Sequence, residues 1–291
     1  MTAIGWSNRG GPQGQWGAPA ALGLPADARG LLLGEGVFET VLVLDGRPQW
    51  LAAHLQRWHT GAQVLGLASP PTLEPVQALL LQAMERSGIH TGALRLNWCR
   101  GSSGRGLQPP DPARDDAGNA LFWLQLSQAA PCLDPVRVIV SPTEVRSATS
   151  LLSRCKSFGY GSALLARRQA LQAGADDALL PSSNGELCCG TSANLLIRRD
   201  GGDDRWLTPP LTSGCLGGIM RQRAIDLDLA SETTISLADL EGCQAALLLN
   251  SLGCRAIVEL DHRCLDGPGE SEAIAQATRL WGQLLEPGPG S

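Results

Sequence analysis

Cys155-Lys-Ser-Phe-Gly-Tyr160 holds the only lysine and the only tyrosine of a 291-residue chain. Lysine and arginine together number 23, and Lys156 is the one lysine among them. Arginine substitutes for lysine as a surface cation. It does not substitute where an amine must lose its proton and attack a carbonyl, because guanidinium stays charged and is a poor nucleophile. Carbonyl capture by a primary amine is chemistry that requires lysine. A solvated lysine that survived by chance is the alternative, and residue identity alone does not separate the two.

Working outward, Lys156 falls just beyond a joint between two halves. On its N-terminal side, residues 37–44 have the β-branched and apolar content of a strand and end at Asp45-Gly46, a hairpin turn. Residues 52–67 read as a helix whose Leu55, Trp58, Ala62 and Leu65 recur at helical spacing. A second helix follows over 75–87, with proline at a first helical position. Strands at 93–99 and 120–126 enclose a polar loop, 101–119, long enough to suggest function. Residues 128–135 read as a linker. Beyond it come a strand at 136–141, a helix at 160–173, and short strands at 178–180, 186–190, 193–197 and 205–207. A helix at 218–229, strands at 245–249 and 256–260, and an amphipathic helix at 270–285 complete the chain. The expectation is an α/β (α+β) protein of two domains, 1–127 and 136–291.

Composition narrows the function. The chain is 43% hydrophobic and 18% charged, with formal net charge −5, which suits a soluble globular protein. It has no basic stripe of the kind a nucleic-acid binder shows, and its apolar runs are too short to span a bilayer. Residues 1–17 are polar and Gly-rich, without a signal-peptide core. Nine cysteines, an odd count with no Cys-x-x-Cys pair, fit free thiols in a reducing cytoplasm. Four histidines without ligand-like spacing argue against a metal site.

Several motifs occur in a particular order: Gly34-Glu-Gly-Val-Phe-Glu-Thr40, His54-Leu-Gln-Arg57, Lys156, Gly190-Thr-Ser-Ala-Asn194, Thr208-Pro-Pro210 and Ser213-Gly-Cys-Leu-Gly-Gly-Ile-Met-Arg-Gln222. Together they resemble the fold-type IV pyridoxal-phosphate enzymes, the class IV aminotransferases, over about 30 to 257. The resemblance implies a two-domain architecture with the cofactor in the inter-domain cleft, and a homodimer. Lys156 supplies the amine for the cofactor aldehyde. Gly217-Gly218 opening a helix leaves backbone N–H groups at a positive dipole end, so the Ile219 and Met220 amides are candidate phosphate donors; a Gly pair also marks ordinary turns. The resemblance adds Arg57 and Ser251 at the phosphate, Tyr160 at the phenolic oxygen, and Asn194 within the cofactor-binding stretch. It also implies a glutamate at the pyridine nitrogen, and counting back from Asn194 puts Cys189 there. Glu186, three residues earlier, faces away on a regular strand. Three accounts stay open: a less protonated ring nitrogen, a bulge that brings Glu186 round, or another acid.

Leu94-Arg-Leu-Asn-Trp-Cys-Arg-Gly-Ser-Ser-Gly-Arg-Gly106, Gly218-Ile-Met-Arg-Gln222 and Asn250-Ser-Leu252 resemble aminodeoxychorismate lyase more than the aminotransferases. That resemblance implies conversion of 4-amino-4-deoxychorismate to 4-aminobenzoate and pyruvate, a step of folate synthesis, with Lys156 as general base. The substrate has two carboxylates, and Arg100 and Arg105 lie in a Gly-rich loop where their guanidinium forks suit them. A branched-chain or D-amino-acid aminotransferase is the second reading. A non-catalytic cofactor-binding protein is the reading from another class.

Overall fold

The computed structural model describes residues 2–9, 13–102, 106–108, 119–199, 204–265 and 269–286. It divides into two compact units, Met1–Ala130 with Cys155–Gly159, and Pro131–Arg154 with Tyr160–Ser291. Among the described residues no helix is long and apolar enough to cross a membrane.

The first unit runs β1 (Ala3–Ser7), β2 (Gln15–Gly17), α1 (Arg29–Leu33), β3 (Gly36–Leu44), β4 (Arg47–Pro48), α2 (Leu51–Val64), α3 (Leu73–Ser87), β5 (Gly92–Cys99) and β6 (Leu121–Gln128). Its six described strands form an antiparallel sheet in the order β2-β1-β6-β5-β3-β4. Strand alternation sorts the side chains. Val37, Val41, Leu94, Leu96, Trp98, Phe122, Leu124 and Leu126 pack into one core with Leu55, Trp58 and Ala62 of α2 and Val76 and Leu80 of α3. The opposite face presents Phe38 beside Asn97, and Thr40 beside Arg95.

Cys155–Gly159 is an exception to a linear division of the chain, because it packs with the first unit although 136–291 was expected to form one domain with Lys156 in it. The reason lies at the edge of β3. Strand β4 pairs only with Val43 and Leu44, so the opposite end of that edge offers backbone groups that need partners. Ser157 bridges to Val37, the Phe38 N–H donates to the Lys156 carbonyl at 2.9 Å, and the Phe158 N–H donates to the Gly36 carbonyl at 3.0 Å. Phe158 then covers Gly36 so closely that a Cβ there would lie 2.4 Å from its ring.

The second unit runs β7 (Val136–Val140), α4 (Gly161–Gln172), β8 (Asp177–Pro181), β9 (Leu187–Gly190), β10 (Asn194–Arg199), β11 (Trp206–Thr208), α5 (Ile219–Asp226), β12 (Ala230–Glu232), α6 (Leu237–Glu241), β13 (Cys243–Asn250), β14 (Gly253–Leu260), β15 (Arg263–Cys264) and α7 (Glu270–Leu285). Strands β10-β13-β14-β7-β8-β9 follow one another, and β9 pairs back to β10, which closes a ring. Val138, Leu179, Leu187, Leu195, Ile197, Leu248 and Ile257 form the inner core. Outside the ring, Ala166 and Ala170 of α4 cover Ala178, Leu180, Cys188 and Cys189.

Gly36→Val presses against both Phe158 and the Cys99 Cβ. It should cost about 1–3 kcal/mol by overpacking and loosen Cys155–Gly159. Urea unfolding with amide exchange of Phe38 and Phe158 checks this; unchanged protection would show that the segment is not seated on β3.

Candidate functional site

In the first unit, the half-buried Lys156 holds its Nζ 4.4 Å from the centre of the Phe38 ring. Arg95 places its guanidinium 3.7 Å from the same ring and donates from Nε to Asn97 Oδ1 at 2.8 Å. The Lys156 amine and the Arg95 guanidinium thus share one aromatic ring, a favourable contact for both cations. Sequence reasoning missed Arg95. The available signal was its place on β5, where alternation with Leu94 and Leu96 turns it off the core face.

Glu39 alternates with Phe38 and so points into the layer under α2, fully buried. Its carboxylate accepts both Arg57 Nε at 2.8 Å and Arg57 Nη2 at 2.6 Å, a bidentate fork. His54, one helical turn before Arg57, places Nδ1 2.7 Å from Glu39 Oε2. Burial would raise the Glu39 carboxyl, but the charge and hydrogen bonds of Arg57, with the bond from His54, hold it down at about 2. Burial is also the largest influence on His54 and lowers it against the pull of Glu39; the charges of Arg57 and Lys156 lower it further. His54 is therefore neutral near pH 7. With Glu39 ionised, His54 Nδ1 must carry the hydrogen.

Arg100 requires a correction. It was expected to face a substrate carboxylate, yet it is 5% exposed. Its Nε donates to Glu35 Oε1 at 2.9 Å and its Nη2 to the Gly66 carbonyl at 2.6 Å. Glu35 also binds Arg29 at 2.5 Å, and Arg29 reaches the Gly106 carbonyl at 2.7 Å. Arg100 thus braces the root of its loop through its Nε and Nη2 bonds. Arg105 lies outside the described residues.

In the second unit, Asn194 pairs with Cys189 across β9 and β10. Asn194 Nδ2 donates to the Leu216 carbonyl at 2.9 Å. Gly218, in extended conformation, caps α5 with no side-chain cap bond. A Cβ at Gly218 would lie 2.0 Å from Asn194 Oδ1, so only glycine lets this loop approach the strand. Ile219 and Met220 open α5, whose N-cap residue, Gly218, supplies no side-chain cap bond. Ser251 is half-buried in the turn between β13 and β14. Its neighbour Asn250 donates to the Ser192 carbonyl at 3.4 Å, which holds that turn beside the loop leading into Asn194. Tyr160 is half-buried at the head of α4.

The bulge left open by the sequence is present. Leu180 pairs with Cys189 and Pro181 with Leu187, so Cys188 is the extra residue of β9. Leu187 therefore turns to the inner core while Cys189 faces outward. Glu186 returns to the outer side, where Ser213 Oγ donates to its Oε1 at 2.8 Å. Hydrogen bonds to the sulfur atoms of Cys189 and Cys215 push the Cys188 thiol up. Arg146 Nε donates to the Gly214 carbonyl at 3.2 Å. Glu186, Cys188, Arg146 and Asn194 thus fasten successive points of the loop that ends at the start of α5.

Residues 36–260 match the family model described as Amino-transferase class IV. The chain belongs to that family. A Mycobacterium tuberculosis protein named bifunctional aminodeoxychorismate lyase / D-amino acid transaminase is 28% identical over 283 residues, covering 87% of this chain and 91% of the relative. The fold IV-transaminase of Curtobacterium pusillum is 25% identical with a TM-score of 0.78, covering 98% of each chain. A hypothetical aminotransferase from Mycobacterium tuberculosis, solved in its PLP-bound form, shares the fold, with a TM-score of 0.77 at 22% identity over 97% of this chain and 98% of that one. This family uses pyridoxal phosphate. The residues present fit that group: one primary amine, and a helix start that lacks a side-chain cap behind a glycine that admits no Cβ.

Acid should weaken the first unit through Glu39 and His54. Glu39 is lowered from its ordinary 4.5 to about 2, so its stabilisation is complete above 4.5 and is lost as pH falls toward 2. His54 is lowered from 6.5, so the unfolded chain takes up that proton first and stability begins to fall below 6.5. Glu39→Gln should remove up to about 3 kcal/mol of the acid-dependent loss. Urea unfolding at several pH values checks the slope; identical slopes for both proteins would refute it.

Proposed function

We propose that this chain is a pyridoxal-phosphate lyase that converts 4-amino-4-deoxychorismate to 4-aminobenzoate and pyruvate. The carrying observation is the placement of Lys156 and Arg95 about one ring, Phe38. A nucleophilic amine beside a fixed guanidinium suits a substrate that carries both an amine and carboxylates. Arg95 takes the anchoring role that the sequence assigned to Arg100. The lyase in the name of the Mycobacterium tuberculosis relative supports the same reading, as does the run from Arg100 to Gly106. Transaminases among the similar proteins support an aminotransferase as the second reading.

When bound, pyridoxal phosphate supplies an aldehyde that takes an amine and a conjugated ring that draws electrons from the adjoining bonds. Lys156 would hold the cofactor through that aldehyde and would yield its place to the substrate amine. Its freed Nζ then takes the proton from the amine-bearing carbon of the substrate ring. The C–O bond to the three-carbon fragment breaks with its electron pair staying on oxygen, so the fragment leaves as the enolate of pyruvate, and the Lys156 ammonium or a water returns a proton to its methylene carbon. Aromatisation drives this step. By the family resemblance, Arg57 of the first unit would bind phosphate, as would the Ile219 and Met220 amides and the Ser251 hydroxyl of the second. Asn194 fixes the Gly218 turn, and Tyr160 donates to the phenolic oxygen.

Cys189 stands at the ring nitrogen in this reading, while Glu186 is engaged with Ser213. A thiol lacks the negative charge by which a carboxylate keeps that nitrogen protonated, so electron withdrawal is weaker. A reaction driven by aromatisation tolerates that better than transamination does. The partner proposed for the assembly is a second copy of the chain, as the family resemblance implies.

Purified protein given 4-amino-4-deoxychorismate should produce fluorescent 4-aminobenzoate with no amino acceptor. Lys156→Ala should abolish both the product and the cofactor's absorbance band. Consumption of an amino acid with 2-oxoglutarate, and no 4-aminobenzoate, would establish the aminotransferase; neither activity would leave a cofactor-binding protein. Cys189→Glu should raise transamination relative to lyase turnover and shift the absorbance of bound cofactor. An unchanged ratio and spectrum would remove Cys189 from the ring nitrogen.

A further inference from the structure

Glu39, His54 and Arg57 form a polar group inside an otherwise apolar layer of the first unit. Buried ion pairs add little stability compared with well-packed apolar residues of the same volume, so the arrangement calls for another use. Glu39 is 0% exposed and His54 1%, whereas the Arg57 side chain retains 14%. The cation is the member that reaches outward. A guanidinium is planar, and two bonds from Nε and Nη2 to one carboxylate fix its plane. That plane decides where its remaining N–H bonds point. His54 approaches Glu39 Oε2 from α2 as well, so the carboxylate itself cannot swing.

We propose that Glu39, braced by His54, is the positioning residue that sets the Arg57 guanidinium for a phosphate. This rests on the reading of Arg57 as a phosphate-binding arginine. Orientation and simple charge attraction have opposite consequences here. Ionised Glu39 cancels the charge of Arg57, and neutral His54 adds none. Glu39→Gln therefore leaves the group more positive, which by attraction alone would tighten phosphate binding. If orientation governs, the same change weakens it.

The test strips the full chain of cofactor and titrates it with pyridoxal phosphate and with pyridoxal, which lacks the phosphate, following tryptophan fluorescence, with thermal melts as a check on folding. Glu39→Gln should weaken pyridoxal phosphate by roughly tenfold, the worth of about one charge-assisted hydrogen bond, and leave pyridoxal unchanged. Glu39→Asp, which keeps the charge and shortens the reach, should act the same way and stands in if the first variant does not fold. In Glu39→Gln/Arg57→Gln the losses should not add, because the two residues act as one. Tighter or unchanged binding of pyridoxal phosphate overturns the proposal, and so does equal weakening of both ligands, which marks a purely structural role. Arg57→Gln run in parallel separates the two claims. If it shows no phosphate-selective loss, the reading of Arg57 fails and this inference falls with it. If it does and Glu39→Gln does not, the inference alone fails.

Discussion

The backbone pairing of Lys156 with Phe38 is the constraint on which the first unit's chemistry depends. It joins a segment more than a hundred residues distant in sequence to the open edge of β3, through two hydrogen bonds. Phe38 turns to one side of the sheet and receives the Lys156 and Arg95 cations. Glu39 turns to the other and receives His54 and Arg57. A strand has only two faces, so adjacent residues of β3 serve opposite sides of the same sheet. The cation–π contacts and the buried ion group are each modest in net energy, but the strand between them fixes both.

The second unit solves a separate problem with different means. The amides that open α5 attract anions only if the loop before them is held in place. Gly218 permits close approach to Asn194, and as the N-cap it offers no side-chain cap to the first turn. Glu186 and Arg146 tie the same loop at Ser213 and Gly214. Rigid loops carry binding groups with less ordering cost when a ligand arrives. The extra residue in β9 is part of this scheme, because without it Glu186 would point into the inner core. Bulges commonly re-aim a side chain in this way.

Strong periodicity made most of the fold legible. The helix read at 270–285 coincides with α7, and the strand at 37–44 with all but the first residue of β3. The second-unit helix at 218–229 was read too long, because the chain leaves α5 at Asp226 and enters β12. Strands β1 and β2 carried too little pattern to decide between a strand and a loose arm; Trp6 is ordered by its edge contact with Phe122, 5.3 Å between ring centres. Among the candidate site residues, the structure places Lys156 beside Phe38 and Asn194 beside Cys189 and the Leu216 carbonyl. Arg100 was misread because a charged residue in a glycine-rich loop looks the same in sequence whether it faces solvent or an internal carboxylate. Glu35, its partner, lies in a distant stretch.

The sequence by itself determined the family, the single lysine and the glycines that admit a helix start, because these depend on residue type and local spacing. Tertiary structure decided which arginine is spent inside the protein and which is presented, that Lys156 belongs to the first unit's sheet, and that Glu186 shares the outer side with Cys189. Those outcomes depend on hydrogen-bond partners far apart in the chain and on one unpaired residue in a strand. A periodic pattern read along the chain contains neither.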